Sequence, residues 1–164
     1  MAHEVMIRPA VEQDVPQILQ FIRDLAHYEH LTHEVSATED ALRQNLFGIR
    51  RYAEVLFACL GERPVGFALF FHNFSTFLGR PGIYLEDLYV QPQARGKGIG
   101  RQLLSRLAAL AVARGCGRLD WAVLDWNDPA IGFYRELGAV ALDDWRGFRL
   151  AGSALTQMAK SATG

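Results

Sequence analysis

At 164 residues, with 17 basic against 18 acidic side chains and 50% of its residues hydrophobic, the chain carries a net charge of −1. It is long enough to bury a core as one domain, 1–164, and its balanced charge excludes a disordered polyelectrolyte or a nucleic-acid binder built on a basic face. No apolar run approaches the ~18 residues of a membrane span, Met1-Ala2-His3-Glu4 lacks a signal-peptide pattern, and neither Cys59 nor Cys116 sits at metal-ligand spacing. The expected compartment is the cytoplasm, with no membrane partner.

Val5 to Ala10 predicts a first strand, stopped by Pro9. Val15, Ile18, Leu19, Ile22, Leu25 and Ala26 recur at helical spacing, with Asp14 as the expected N-cap and an end near Tyr28-Glu29-His30. Thr38 caps a second helix that Gly48 closes. Glu54 to Leu60 and Pro64 to Phe71 predict a hairpin across Gly61-Glu62-Arg63, and Asn73 to Gly82 an irregular connection. Cys59, inside an apolar strand, is expected to be buried and inert. Leu85 to Val90 predicts a central strand, and Leu103 to Arg114 a long helix closed by Gly115. A strand over Arg118 to Val123 follows, then a helix capped by Asn127, with Pro129 in its first turn and Gly138 at its end. Short strands near Val140 and at Phe148 to Leu150, and a helix from Ser153, complete the expectation. The order β-α-α-β-β-β-α-β-α-β-β predicts an α/β domain with a mixed sheet.

The informative stretch joins the central strand to the long helix: Leu85-Glu86-Asp87-Leu88-Tyr89-Val90-Gln91-Pro92-Gln93-Ala94-Arg95-Gly96-Lys97-Gly98-Ile99-Gly100. Glycines at 96, 98 and 100 let backbone N–H groups approach a ligand, and the helix adds its positive dipole end, which suits a pyrophosphate. Gly100 is followed by Arg101-Gln102, so the magnesium-binding hydroxyl of a nucleotide P-loop is missing, and the glycine spacing differs from the dinucleotide fingerprint. His27, His30 and His33 lack the spacing of a helical metal site.

Arg95-x-x-Gly98-x-Gly100, together with Trp126-Asn127-Asp128-Pro129-Ala130-Ile131-Gly132-Phe133-Tyr134, resembles the GNAT N-acetyltransferases over nearly the whole chain. Ile7-Arg8-Pro9-Ala10, Ala26-His27-Tyr28-Glu29 and Tyr84-Leu85-Glu86-Asp87 are similar to its diamine (spermidine/spermine) and thialysine branch. The resemblance implies a mostly antiparallel mixed sheet flanked by helices, acetyl-CoA as donor, a small amine as acceptor and a homodimer. It implies that the backbone of Leu88, Tyr89 and Val90 pairs with the pantetheine, that Arg95, Gly96, Lys97, Gly98, Ile99, Gly100 and Arg101 hold the pyrophosphate, and that Asn127, Asp128, Pro129 and Ala130 line the cofactor's other side. It further implies Tyr134 beside the sulfur, Glu86 as general base, and Tyr28, Glu29 and Asp87 facing the amine.

An amine near pKa 10.4 lies about 6 units above an ordinary glutamate, a gap of roughly 8 kcal/mol, so Glu86 needs a raised pKa, a water chain or a substrate of lowered pKa. Tyr134, near pKa 10, is suited to a hydrogen bond to a forming thiolate. No cysteine stands where a nucleophile would, which favours direct transfer. Arg146, in Asp143-Asp144-Trp145-Arg146-Gly147, falls where the branch is expected to place a carboxylate against a distal ammonium, and it suits a substrate carboxylate instead. Small diamines and lysine-like amines therefore rank above long polyamines. The competing readings are a protein or peptide amine acetyltransferase and a non-catalytic acyl-CoA-binding regulator; retention of Glu86 and Tyr134 speaks against the second.

Overall fold

The computed structural model describes residues 4–162; the missing signal-peptide pattern falls mostly on residues 1–3, outside them. The fold divides into two units, up to Leu124 and from Asp125 onward.

The first unit is a sheet of five strands in the order β1 (Val5–Pro9), β2 (Glu54–Leu60), β3 (Arg63–Ser75), β4 (Arg80–Val90) and β5 (Leu119–Trp121). The first four are antiparallel and β5 runs parallel to β4, so the sheet is mixed and mostly antiparallel, as expected. Strict alternation sends β2 and β3 side chains to two buried faces. Val55, Phe57, Cys59, Phe67 and Leu69 pack with Ile18 and Phe21 of α1 (Val15–Tyr28) and Leu46 of α2 (Glu39–Phe47). Phe21 is fully buried, stacked 5.5 Å from Phe67 and edge-on 5.9 Å from Phe57; truncating such an aromatic costs about 3–5 kcal/mol. The alternate residues Leu56, Ala58, Ala68 and Phe70 are buried on the other face, and the long helix α3 (Ile99–Ala113) buries Leu103, Leu107 and Ala111.

Several sequence expectations change. Asp14 stands at the N-cap of α1 as expected, but its side chain makes no capping hydrogen bond: its carboxylate takes Arg8 at 2.8 and 3.1 Å and the Val11 amide at 2.8 Å. A paired guanidinium outbids the helix amides, and it holds Asp14 below the usual carboxylate range. Thr38 does cap α2, accepting from the Ala41 amide at 3.1 Å. The connection expected from Asn73 to Gly82 shrinks to a turn over residues 76–79: the β3–β4 ladder runs on to Ser75 and Arg80, because continued pairing outweighs the weak propensities of Asn, Pro and Gly. Gly82 fits there because any Cβ would meet the Asn73 Oδ1. β5 is shorter than expected, three residues rather than Arg118 to Val123.

The second unit holds α4 (Asp128–Glu136) and α5 (Gly152–Ala159). The short strands expected near Val140 and at Phe148 to Leu150 do not form. A strand exists only through its ladder, and none of the described residues offers this segment one. Its apolar side chains face solvent: Val140 is 82% exposed, Trp145 78% and Phe148 96%.

Candidate active site

The site in the first unit starts from an irregularity in β4. Leu85 pairs with Phe70 and Asp87 with Leu69, so Glu86 is an extra residue in a β-bulge. Without it, Leu85 and Asp87 would share a face; with it, Asp87 turns to the α1 face beside Leu69 and Tyr89. Burial there, with Glu86 and Glu29 as further causes, pushes the Asp87 carboxyl up to about 6. Glu29 follows the last turn of α1 and is raised by burial as well. His30 next to it adopts φ 60°, an uncommon left-handed conformation that closes the helix with the Leu31 amide on the Ala26 carbonyl at 2.8 Å. Glu86 itself is exposed.

The bulge also marks where β4 loses its neighbour. β5 pairs only with Ile83, Tyr84 and Leu85, so among the described residues no strand lies along the Glu86–Val90 flank of β4. An extended ligand carrying amides could add there as a strand does.

At the end of β4 the chain makes one turn of 3-10 helix over Pro92–Ala94 and enters the glycine loop. Gly96 and Gly98 both have φ 75°, and Gly98 is the N-cap of α3. A Cβ placed on Gly96, Gly98 or Gly100 would meet nothing within 4 Å, so the loop presents bare backbone to open space at the positive end of a helix. Lys97 and Arg101 are exposed around it. Arg95 folds back instead: its Nε donates to the Val90 carbonyl at 2.8 Å, and its guanidinium lies 5.1 Å from the Tyr28 ring centre and 5.6 Å from that of Tyr89. It therefore locks the loop to β4 and to the end of α1, a role that motif spacing alone does not reveal.

In the second unit, Asn127 is buried and accepts from the Ala130 amide at 3.4 Å, capping α4 as expected, with Asp128 and Pro129 in the first turn. Tyr134 lies on α4, its ring 5.6 Å from Phe133. Arg146 is exposed in the irregular segment that follows. The structure thus brings Tyr28, Glu29, Glu86, Asp87, Tyr89, Arg95 and the glycine loop together in one unit, and gathers Asn127, Asp128, Pro129, Ala130 and Tyr134 on α4 in the other. Sequence reasoning missed the bulge, although Leu85 and Leu88, three apart in a strand and both paired to residues of one β3 face, signal a break in period two. Among the described residues, no group of His, Cys, Asp and Glu is placed to hold a metal ion.

The profile of the acetyltransferase (GNAT) family matches residues 16–139. The chain belongs to the GNAT acetyltransferase family. Relatives of this GNAT enzyme include the thialysine N-epsilon-acetyltransferase of Bos taurus, 42% identical over 94% of this chain and 97% of its own length. The L-ornithine N5-acetyltransferase of Arabidopsis thaliana is 33% identical over 94% of this chain and 87% of its own. Among solved structures, an integron cassette protein from the V. cholerae mobile metagenome superposes with a TM-score of 0.80, at 30% identity over 96% of this chain and 98% of its own. The protein is an N-acetyltransferase. The fold expected from the GNAT resemblance is the one observed, except for the two C-terminal strands.

Proposed function

We propose that this GNAT enzyme transfers an acetyl group from acetyl-CoA directly to the side-chain amine of a small cationic, lysine-like substrate. The observation that carries the reading is the open flank of β4 running straight into a bare-backbone loop at a helix N-terminus. The residues present fit acetyl-CoA: the flank of Leu88, Tyr89 and Val90 offers amide partners to the pantetheine, and Gly96 to Arg101 offer N–H groups and positive charge to the pyrophosphate. The resemblance assigns Asn127, Asp128, Pro129 and Ala130 to the cofactor as well. When bound, acetyl-CoA supplies an acetyl group activated as a thioester.

The chain's own groups handle the protons. At a pKa of about 6, Asp87 is mostly ionised at neutral pH, and its gap to an ordinary amine narrows to about 4 units. Asp87 is thus a proton acceptor the site offers, beside Glu86, the candidate by resemblance. Glu29, Glu86 and Asp87 form an anionic cluster that raises the local concentration of cations. The Tyr134 hydroxyl holds a proton for the departing sulfur. Arg146 serves a substrate carboxylate, which agrees with relatives named for thialysine and ornithine, both amino acids with a side-chain amine.

We place the enzyme in the cytoplasm: its two cysteines are free thiols and no described helix is long and apolar enough to cross a membrane. We also propose that chain 1–164 works as one domain and as a homodimer, the exposed apolar residues of the second unit covered by a second copy. The test is mass spectrometry of products from acetyl-CoA offered with thialysine, lysine, ornithine, putrescine and spermidine at matched concentrations. Monoacetylated amino acids should dominate; a strong preference for spermidine would overturn the substrate reading, and no product with any amine would overturn the function.

A further inference from the structure

A separate cavity of about 170 Å³ opens in the first unit, where the ends of α2 and β1 and the start of β2 meet the C-terminal half of α3. Its floor is apolar, with Leu46, Val55, Leu56, Phe70 and Leu110. Its polar lining is lopsided: three guanidinium groups, Arg51, Arg106 and Arg114, against one carboxylate, Glu54. That carboxylate is fully engaged, since Arg114 grips it through two hydrogen bonds of 2.7 and 2.9 Å. The pairing holds Glu54 below its usual range, so it stays ionised and spoken for. Arg51 lies 5.9 Å from the Phe47 ring centre, and neither Arg51 nor Arg106 makes an ion pair among the described residues. No lining residue belongs to the β4 bulge or the glycine loop.

We propose that this cavity is a second ligand site, for a small organic carboxylate with a short apolar body. The guanidinium groups of Arg51 and Arg106, which line the cavity without an ion pair, supply donors and positive charge for a carboxylate, and the apolar lining takes the hydrocarbon part away from water. The volume is below that of a drug-sized pocket, which sets the ligand at a short acyl or aryl acid and excludes a peptide. The floor also touches the active site through the sheet: Phe70 pairs with Leu85, the residue before the bulge, so a molecule seated on Phe70 bears on the strand that carries Glu86 and Asp87.

The test is calorimetric titration of the full chain with hexanoate, hexan-1-ol and inorganic phosphate, each with and without saturating CoA. Hexanoate should bind saturably and keep its affinity when CoA is present. Arg106→Gln and Arg51→Gln, exposed positions that leave the core and the acetyl-transfer residues untouched, should each weaken hexanoate by about tenfold. Hexanol should bind at least ten times more weakly than hexanoate. Loss of hexanoate binding on adding CoA would assign it to the glycine loop and overturn the proposal. So would no saturable binding, an affinity indifferent to both arginine substitutions, or phosphate binding as tightly as hexanoate, which would leave a site for bare anions.

Discussion

Asp87 carries two opposed effects that one substitution separates. Its pKa, near 3.8 when unfolded and about 6 when folded, means that the native state prefers it protonated. For an acid shifted upward, stability declines as pH rises from the unfolded value to the folded one, and the full penalty, about 2–3 kcal/mol at most, stands above pH 6. Asp87→Asn keeps the shape and removes the charge, so thermal unfolding at pH 7 should move up by several degrees, and at pH 3 should not move. If Asp87 also accepts the amine's proton, the same protein should lose about a hundredfold in kcat/KM, and the acid limb of the wild-type pH profile, set by the coupled acidic group, should vanish. Glu86→Gln should keep that limb; its disappearance in the Glu86 variant alone would return the role to Glu86. Tyr134→Phe removes a hydroxyl and keeps the ring, so stability should hold while kcat falls by about ten- to a thousandfold. Stopped-flow turnover equal to wild type would remove Tyr134 from the chemistry.

The strand–loop–helix element is largely legible in the sequence, because its parts obey local rules. Glycines at left-handed positions, a proline ending a ladder and apolar residues at helical spacing each need only their neighbours to be understood. What stayed hidden was non-local. The bulge depends on the register between β3 and β4, and the turn of Arg95 onto Tyr28 and Tyr89 depends on where α1 ends. Asp14 looked like a capping side chain because the competing Arg8 sits on another element. The structure also decides which glycine tests the loop. Gly98 has φ 75°, so a β-branched residue there would strain the backbone whatever ligand binds. Gly100 lies in the first turn of α3 with ordinary φ and open space over its Cβ position. Gly100→Val should therefore fold normally by circular dichroism, with only a few tenths of a kcal/mol of propensity change, yet weaken CoA binding by at least tenfold as its methyl groups fill the approach. Equal CoA affinity in wild type and variant would remove the loop from the cofactor site.

At the scale of the whole molecule, the surface is uneven. The first unit buries a core on both faces of a sheet while exposing Ile49, Phe77 and a few other apolar side chains, and the second leaves Val140, Leu142, Trp145, Phe148 and Leu150 between 52% and 96% exposed within one short segment. Isolated exposed apolar residues are ordinary, but five so close in sequence, with Leu155 and Met158 exposed on α5 nearby, form the kind of cluster that marks an interface. The sequence pattern showed strands here because its alternation is that of a half-buried strand; the pattern is sound, and the missing ingredient is a partner to pair with. Fully covering a tryptophan and a phenylalanine removes about 150–250 Å² each, so with the aliphatic neighbours the segment supplies most of the roughly 800 Å² per partner of a stable dimer. We propose a second copy as the partner, since each copy brings the same uncovered segment and a two-fold arrangement would bury both at once. Sedimentation at micromolar concentration should accordingly give twice the mass of the chain. Trp145→Glu with Phe148→Glu, both on exposed side chains, should give the single mass without loss of the first unit's unfolding transition, because charges placed at the centre of an interface must otherwise be desolvated unpaired. A wild-type protein that sediments as one chain, or a double variant that remains dimeric, would show that these residues face solvent for another reason.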